Sequence, residues 1–185
     1  VKLVLVRAGP PEFQGRLAGA LELPLSAEGR DRARAAAALI HAVGDTAAVH
    51  GPPAGHAEEA AAILATALGA KVRAAPDLAE VDMGLWQGLD PIELAERHGG
   101  AFASFQKDAR AVVPPEAEEV DEARERLGKA LTRLRRAHRR EARLVVVVAS
   151  ELAFALLVSA AEGKEAPAQL WRLRQEGPDV RRFEL

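Results

Sequence analysis

The chain of 185 residues contains no cysteine and no tyrosine, only one methionine, and few aromatics of any kind, 4% in all. Without cysteine there is no disulfide framework, no thiolate nucleophile and no thiolate metal site. Charge of one sign is also lacking in bulk. The formal net charge is −2, so the molecule as a whole has no pull toward nucleic acid or an anionic membrane. No apolar run approaches the roughly 18 residues that would suggest a membrane span. No basic flank and apolar core precede the strand-like Lys2-Leu3-Val4-Leu5-Val6, so no leader is expected and the cytoplasm is the expected location. Internal repeats and long linkers are absent too. With 49% hydrophobic and 28% charged residues, one domain over 1–185 is expected.

What is present alternates. Leu3–Val6 reads as a short buried strand ending at Gly9-Pro10-Pro11, and Ser26 caps a helix running from Ala27 to about Ala42. Ala47–His50, a helix over His56–Leu68 and a strand over Lys71–Ala74 follow. This β-α-β-α-β order argues for a largely parallel sheet covered by helices. Asp90-Pro91 opens a short helix to about His98, which Gly99-Gly100 is expected to break before a further turn or two to Lys107. From Glu118 to about Arg140, Val120, Ala123, Leu127, Leu131 and Leu134 share one helix face. Leu144–Val148 is the clearest strand, Ser150 is placed to cap a helix over Glu151–Ala161, and the tail from Trp171 to Leu185 reads as a final hairpin.

Ligands of open α/β sheets bind beyond the carboxyl ends of the parallel strands. The loops leaving those ends are Arg7-Ala8-Gly9, Gly51 to His56 and Ala149-Ser150-Glu151. Taken in order, Leu5-Val6-Arg7-Ala8-Gly9, Gly15-Arg16-Leu17-Ala18-Gly19 and Pro24-Leu25-Ser26-Ala27-Glu28-Gly29 resemble the opening L-V-R-H-G, G-R-x-x-G and P-L-S-x-x-G of the histidine phosphatase superfamily, also called phosphoglycerate-mutase-like. Leu78-Ala79-Glu80-Val81-Asp82-Met83-Gly84-Leu85-Trp86-Gln87-Gly88-Leu89 is similar to its L-x-E-x-D-F-G-x-W-E-G-L. Pro115-Glu116-Ala117-Glu118, with Arg126 eight residues on, sits where many members have P-G-G-E before a helix. Val147-Val148-Ala149-Ser150-Glu151 ahead of Ala155-Leu156-Leu157 matches V-S-H-G-G followed by A-L-L. The resemblance runs end to end and implies a three-layer α/β/α sandwich with a mostly parallel central sheet.

The departures fall on the chemistry. The resemblance implies a nucleophilic histidine where this chain has Ala8, a second histidine where it has Ala149, and a phosphate-binding arginine where it has Gly55. Arg7, Gly9, Arg16 and Ser150 remain as candidate binding residues, and Glu80 matches the family's acid/base. A methyl group offers no lone pair for in-line attack, and losing the nucleophile from a cooperating set costs on the order of a million-fold in a well-studied hydrolase. Gly55 and the Ser150-Glu151 pair depart as well, which favours natural divergence over a two-residue inactivation.

The expected function is therefore a catalytically inactive relative with a binding or regulatory role and a residual phosphate or anion site. The alternative is an active phosphatase or mutase with a substituted nucleophile, His50, His56 or Ser150. No cofactor is expected. Glu80 and Asp82, two residues apart and without a histidine partner, are weak metal candidates, so no metal is expected either. Expected partners are a small phosphorylated ligand or anion, and a protein partner or second copy; no membrane is expected. Trp86 is expected to pack its loop. The basic tract Arg133, Arg135, Arg136, His138, Arg139, Arg140 and Arg143 reads as a solvated helix end balanced upstream by Glu122 and Glu125, so a nucleic-acid partner is not expected.

Overall fold

In the four-valine run of β4 (Leu144–Ala149), successive side chains point to opposite faces of a sheet, and both faces are covered. Val146 and Val148 pack with Val4, Val6 and Val49 beneath α1 (Ala27–His41) and α2 (Gly55–Ala67). Val145, Val147 and Ala149 pack on the other side with Leu3, Leu5 and residues of α3 (Pro91–Lys107), α4 (Val120–Ala137) and α5 (Glu151–Ala161). A fully apolar strand is the sequence form of a strand buried twice.

These observations come from a computed structural model, which describes residues 1–13, 15–177 and 179–184. Among the described residues one sheet has the order β3-β2-β4-β1-β5, with β1 at Lys2–Arg7, β2 at Thr46–Gly51, β3 at Val72–Ala74 and β5 at Val180–Glu184. β1, β2, β3 and β4 run parallel, Arg7 lying in register with Ala149. The fold is thus the α/β sandwich with a mostly parallel central sheet that the resemblance implied.

One local expectation is met closely and one needs correction. The helix that opens at Pro91 breaks at His98, whose φ of −132° and ψ of 23° are non-helical, and a second helical stretch runs from Gly99-Gly100 to Lys107; the two together are α3. Leu94, Phe102 and Phe105 are buried, and Phe102 and Phe105 meet both Trp86 and Trp171 edge to face, which holds the second stretch against the core. The tail is no hairpin. Trp171 lies in a short helix α6 (Leu170–Leu173), and β5 pairs antiparallel with β1; Leu185, placed in the same expected hairpin, falls outside the described residues.

His50 on β2 faces the end of α4, where its Nε2 lies 2.9 Å from Nε2 of His138 in a buried pair that can share one proton. Burial, then His138, Arg73 and Arg133, push His50 down to about 4. The folded value lies below the ordinary 6.5, so stability is complete above pH 6.5 and is lost as pH falls toward 4, where the unfolded imidazole takes a proton the folded pair refuses. Denaturant midpoints at pH 7 and 4.5 should show this loss, up to about 3 kcal/mol from His50, and His50→Gln should lose less over the same interval.

Candidate functional site

The loops at the carboxyl end of the sheet start from side chains that local geometry already commits. β1 places Arg7 toward α5, with its guanidinium 5.4 Å from the Phe154 ring. Its Nε donates to Asp179 Oδ1 at 2.8 Å, Nη1 donates to the carbonyls of Arg174 and Glu176 at 3.0 Å each, and Nη2 donates to the Gly177 carbonyl at 2.8 Å. Nη2 also lies 2.6 Å from Asp179 Oδ1. A guanidinium has five N–H donors. Four of these make hydrogen bonds, the remaining Nη2 contact is a close ion pair, and Arg7 is 7% exposed.

Beside it, Ala8 lines a cleft of about 300 Å³ whose charged lining is Arg7, Arg16, Arg32, Arg174, Glu28 and Glu151. Arg16 reaches Glu93 Oε2 at 2.8 Å and the Gly88 carbonyl at 2.6 Å. Arg32 pairs with Glu28 at 2.6 Å. Arg174 stacks 3.6 Å over Trp171, donates to its carbonyl, and holds Nε 3.2 Å from Glu151 Oε2, outside hydrogen-bonding geometry. Burial lowers the Arg174 pKa, with Glu151 pulling the other way. Gly9 serves packing: a Cβ there would stand 2.4 Å from the Gly29 Cα, so the turn after β1 rests directly on the start of α1.

Glu80 sits across the strand ends. Its carboxylate is enclosed and accepts from Val81 N at 2.7 Å, Leu152 N at 2.9 Å and Ala153 N at 2.7 Å. The last two are the free N–H groups of the first turn of α5, so Glu80 caps that helix from a distant loop. Ser150 occupies the N-cap position expected of it, but its side chain makes no capping bond. Arg126 steadies Glu80 by donating to the carbonyls of Asp77 and Ala79 at 3.0 Å each while gripping Glu118 with two bonds of 2.8 and 2.7 Å. Burial raises Glu80 to about 7 against the three N–H donors, with Glu151 adding to the rise.

Glu80, Gly55, His56 and Ser150 line a second cleft of about 220 Å³. His56, 3% exposed, is held neutral by burial, its pKa lowered to about 4 against an opposing pull from Glu59. A hollow of only about 20 Å³, bordered by Pro11, Arg16, His56, Glu80 and Glu151, lies between the two. Ala149 is fully buried in the α5 side of the core. The structure therefore brings Arg7, Ala8 and Arg16 to one cleft and Gly55, Glu80 and Ser150 to another. His50 belongs to neither, being tied to His138. Asp82 Oδ1 accepts from Gly84 N at 2.8 Å, turning its loop, and Trp86 is buried against Phe102 and Phe105.

Asp179, Arg174 and Arg32 were not among the candidates. Asp179 follows a turn-like Glu176-Gly177-Pro178 and gave no local sign of a guanidinium partner; only antiparallel pairing of β5 with β1 brings it there. Arg32 and Arg174 look like ordinary helix charges in one dimension.

The sequence profile of the histidine phosphatase superfamily (branch 1) matches residues 3–185. The chain belongs to the histidine phosphatase superfamily. A curated relative, the bifunctional protein Rv2228c of Mycobacterium tuberculosis, is 32% identical over 135 residues, which is 72% of this chain and 37% of that protein. The chain thus spans little more than a third of the length of the curated relatives it matches. Among solved structures, mycobacterial glucosyl-3-phosphoglycerate phosphatase Rv2419c in complex with VO3 superposes with a TM-score of 0.78 at 27% identity, covering 92% of this chain and 85% of that one. Bacillus stearothermophilus YhfR gives 0.80 at 23% identity over 92% and 83% of the two chains, a likeness of fold.

Within this superfamily member, Glu80 carries opposite pH linkage to His50. Its folded value of about 7 exceeds the ordinary 4.5, so its contribution to stability is lost as pH rises between them. Glu80→Gln should remove that decline, while Glu80→Ala should lower stability by about 2 kcal/mol at pH 7 by uncapping α5; urea unfolding across pH 4.5–7.5 measures both.

Proposed function

We propose that this chain is a catalytically inactive member of the histidine phosphatase superfamily that acts by binding, with at most a residual anion site in the cleft beside Ala8. The observation that carries this reading is the state of Arg7. Family resemblance assigns the first histidine to Ala8, the second to Ala149 and a phosphate-binding arginine to Gly55. Arg7, beside Ala8, has four of its five donors hydrogen-bonded to the chain itself and its charge paired with Asp179. A dianionic phosphoryl group needs unmatched positive charge and free donors. Here Arg16, Arg32 and Arg174 stand at the rim with carboxylate partners of their own. A small phosphorylated ligand would therefore be held weakly and without attack.

The relative that binds VO3 supports a phosphorylated small molecule as the ancestral ligand class, and nothing more specific is carried over. One domain over the chain fits the profile match to residues 3–185. A second reading, substituted nucleophilic catalysis, has one observation in its favour: neutral His56 shares a cleft with Glu80, whose pKa burial raises to about 7. Against it, His56 is buried and the arginines face the other cleft.

Aryl phosphate hydrolysis by the purified protein should stay at the buffer background. Turnover abolished by Arg7→Ala would refute inactivity, and turnover abolished by His56→Ala alone would establish the second reading. Ala8→His with Ala149→His should not restore activity, because Ala149 is fully enclosed and Arg7 remains engaged. Adding Gly55→Arg makes the test worse, since Gly55 has φ +72°, a conformation that strains any L side chain. Arg7→Met should destabilise the fold by about 3 kcal/mol by leaving Asp179 and three carbonyls unmatched, as thermal or urea unfolding will show.

A further inference from the structure

Most arginines of the chain have a carboxylate partner. Arg7, Arg16, Arg30, Arg32, Arg34 and Arg97 are examples. Arg135, Arg136, Arg139 and Arg140 are different: all four are exposed, and none forms an ion pair with a described residue. Of the two acids expected to balance them, Glu125 pairs with Lys129 and Glu122 forms no ion pair with them. The nearer acids are engaged too: Glu141 pairs with Arg143 and Asp77 with Arg133. One or two cations satisfy a helix C-terminus. Here four unmatched arginines follow one another at the end of α4, and Arg73 on β3 acts on the same His138.

The surface beside them is concave. A groove of about 600 Å³ runs between α4 and the end of α5, its floor made of small side chains, Gly128, Thr132, Ala160 and Ala161, and its walls of arginine and lysine. Glu125 is the one acid in that lining, and Lys129 neutralises it. We infer that the arginine-rich end of α4 and this groove bind the phosphodiester backbone of a nucleic-acid duplex, independently of the site beside Ala8. Two features select that partner. Guanidinium forks match phosphate oxygens two by two, and arginine outnumbers lysine across the patch. The groove lining contains no aromatic ring on which unpaired bases could stack. Backbone contacts position a duplex without reading its sequence. The helix end is solvated, as expected from the sequence, and its unpaired guanidiniums are free to meet an external polyanion.

The test is fluorescence anisotropy of the intact chain with a labelled duplex of about 20 base pairs and arbitrary sequence, the length being a convenient multiple of the roughly ten-base-pair turn. Binding should weaken with salt along a log–log slope of about −3 to −4, the value for four phosphate contacts. Arg135→Gln/Arg136→Gln and Arg139→Gln/Arg140→Gln, each tested with circular dichroism to show an unchanged fold, should each cut the slope by about half. Arg34→Gln/Arg110→Gln, a control of equal charge loss at paired arginines elsewhere, should leave it unchanged. Absence of binding at 50 mM salt, about as low as such assays are run, would overturn the inference. So would equal losses in control and patch variants, tighter binding of a single strand of the same length, or tighter binding of polyglutamate.

Discussion

The Arg7 guanidinium, enclosed by Asp179 and the carbonyls of residues 174, 176 and 177, is the contact on which the active-site end of this molecule depends. It ties the last parallel strand position of β1 to the segment that leads into β5, and so fixes where the tail crosses the sheet edge. A buried guanidinium is tolerable only when paired and fully hydrogen-bonded. In this chain its own backbone and one carboxylate satisfy it, beside the cleft that Ala8 lines.

Glu80 is likewise engaged by the chain itself. A carboxyl poised near neutrality is a useful acid or base when it faces a reacting group. Here it faces the first turn of α5, takes two of its N–H donors, and replaces the cap that Ser150 does not form. Arg126 and Glu118 hold the loop that delivers it. Glu80 and Arg126 thus tie loops together, and the hollow between the two clefts measures only about 20 Å³.

Much of this was legible in one dimension because it depends on local pattern. The β4 valines announced a strand buried on both faces, Ser26 was a cap with Gly29 N as its partner, and Asp90-Pro91 opened α3 with a full capping box. Strand ends were legible too: Arg7 and Ala149 close β1 and β4 in register at the carboxyl edge of the sheet, where the sequence placed them. What escaped depends on contacts between distant segments. The aromatic cluster of Trp86, Phe102, Phe105 and Trp171 packs the second stretch of α3 against α6, a contact between segments that no local pattern announces. The partner of Arg7 is 172 residues away. Neither the separation of Ala8 and Gly55 into different clefts nor the unmatched state of Arg135 and its neighbours could be read from spacing, since both turn on which acids reach which bases in three dimensions.

The central claim is that no group in this chain accepts a phosphoryl group. Intact-mass spectrometry of the protein after incubation at neutral pH with an excess of a reactive acyl phosphate, with peptide mapping of any adduct, tests it most directly. Acylation of lysines by the reagent is set aside by the peptide map, and the account predicts no phosphoryl adduct. A stoichiometric phosphoryl adduct on His56 or Ser150 would contradict it.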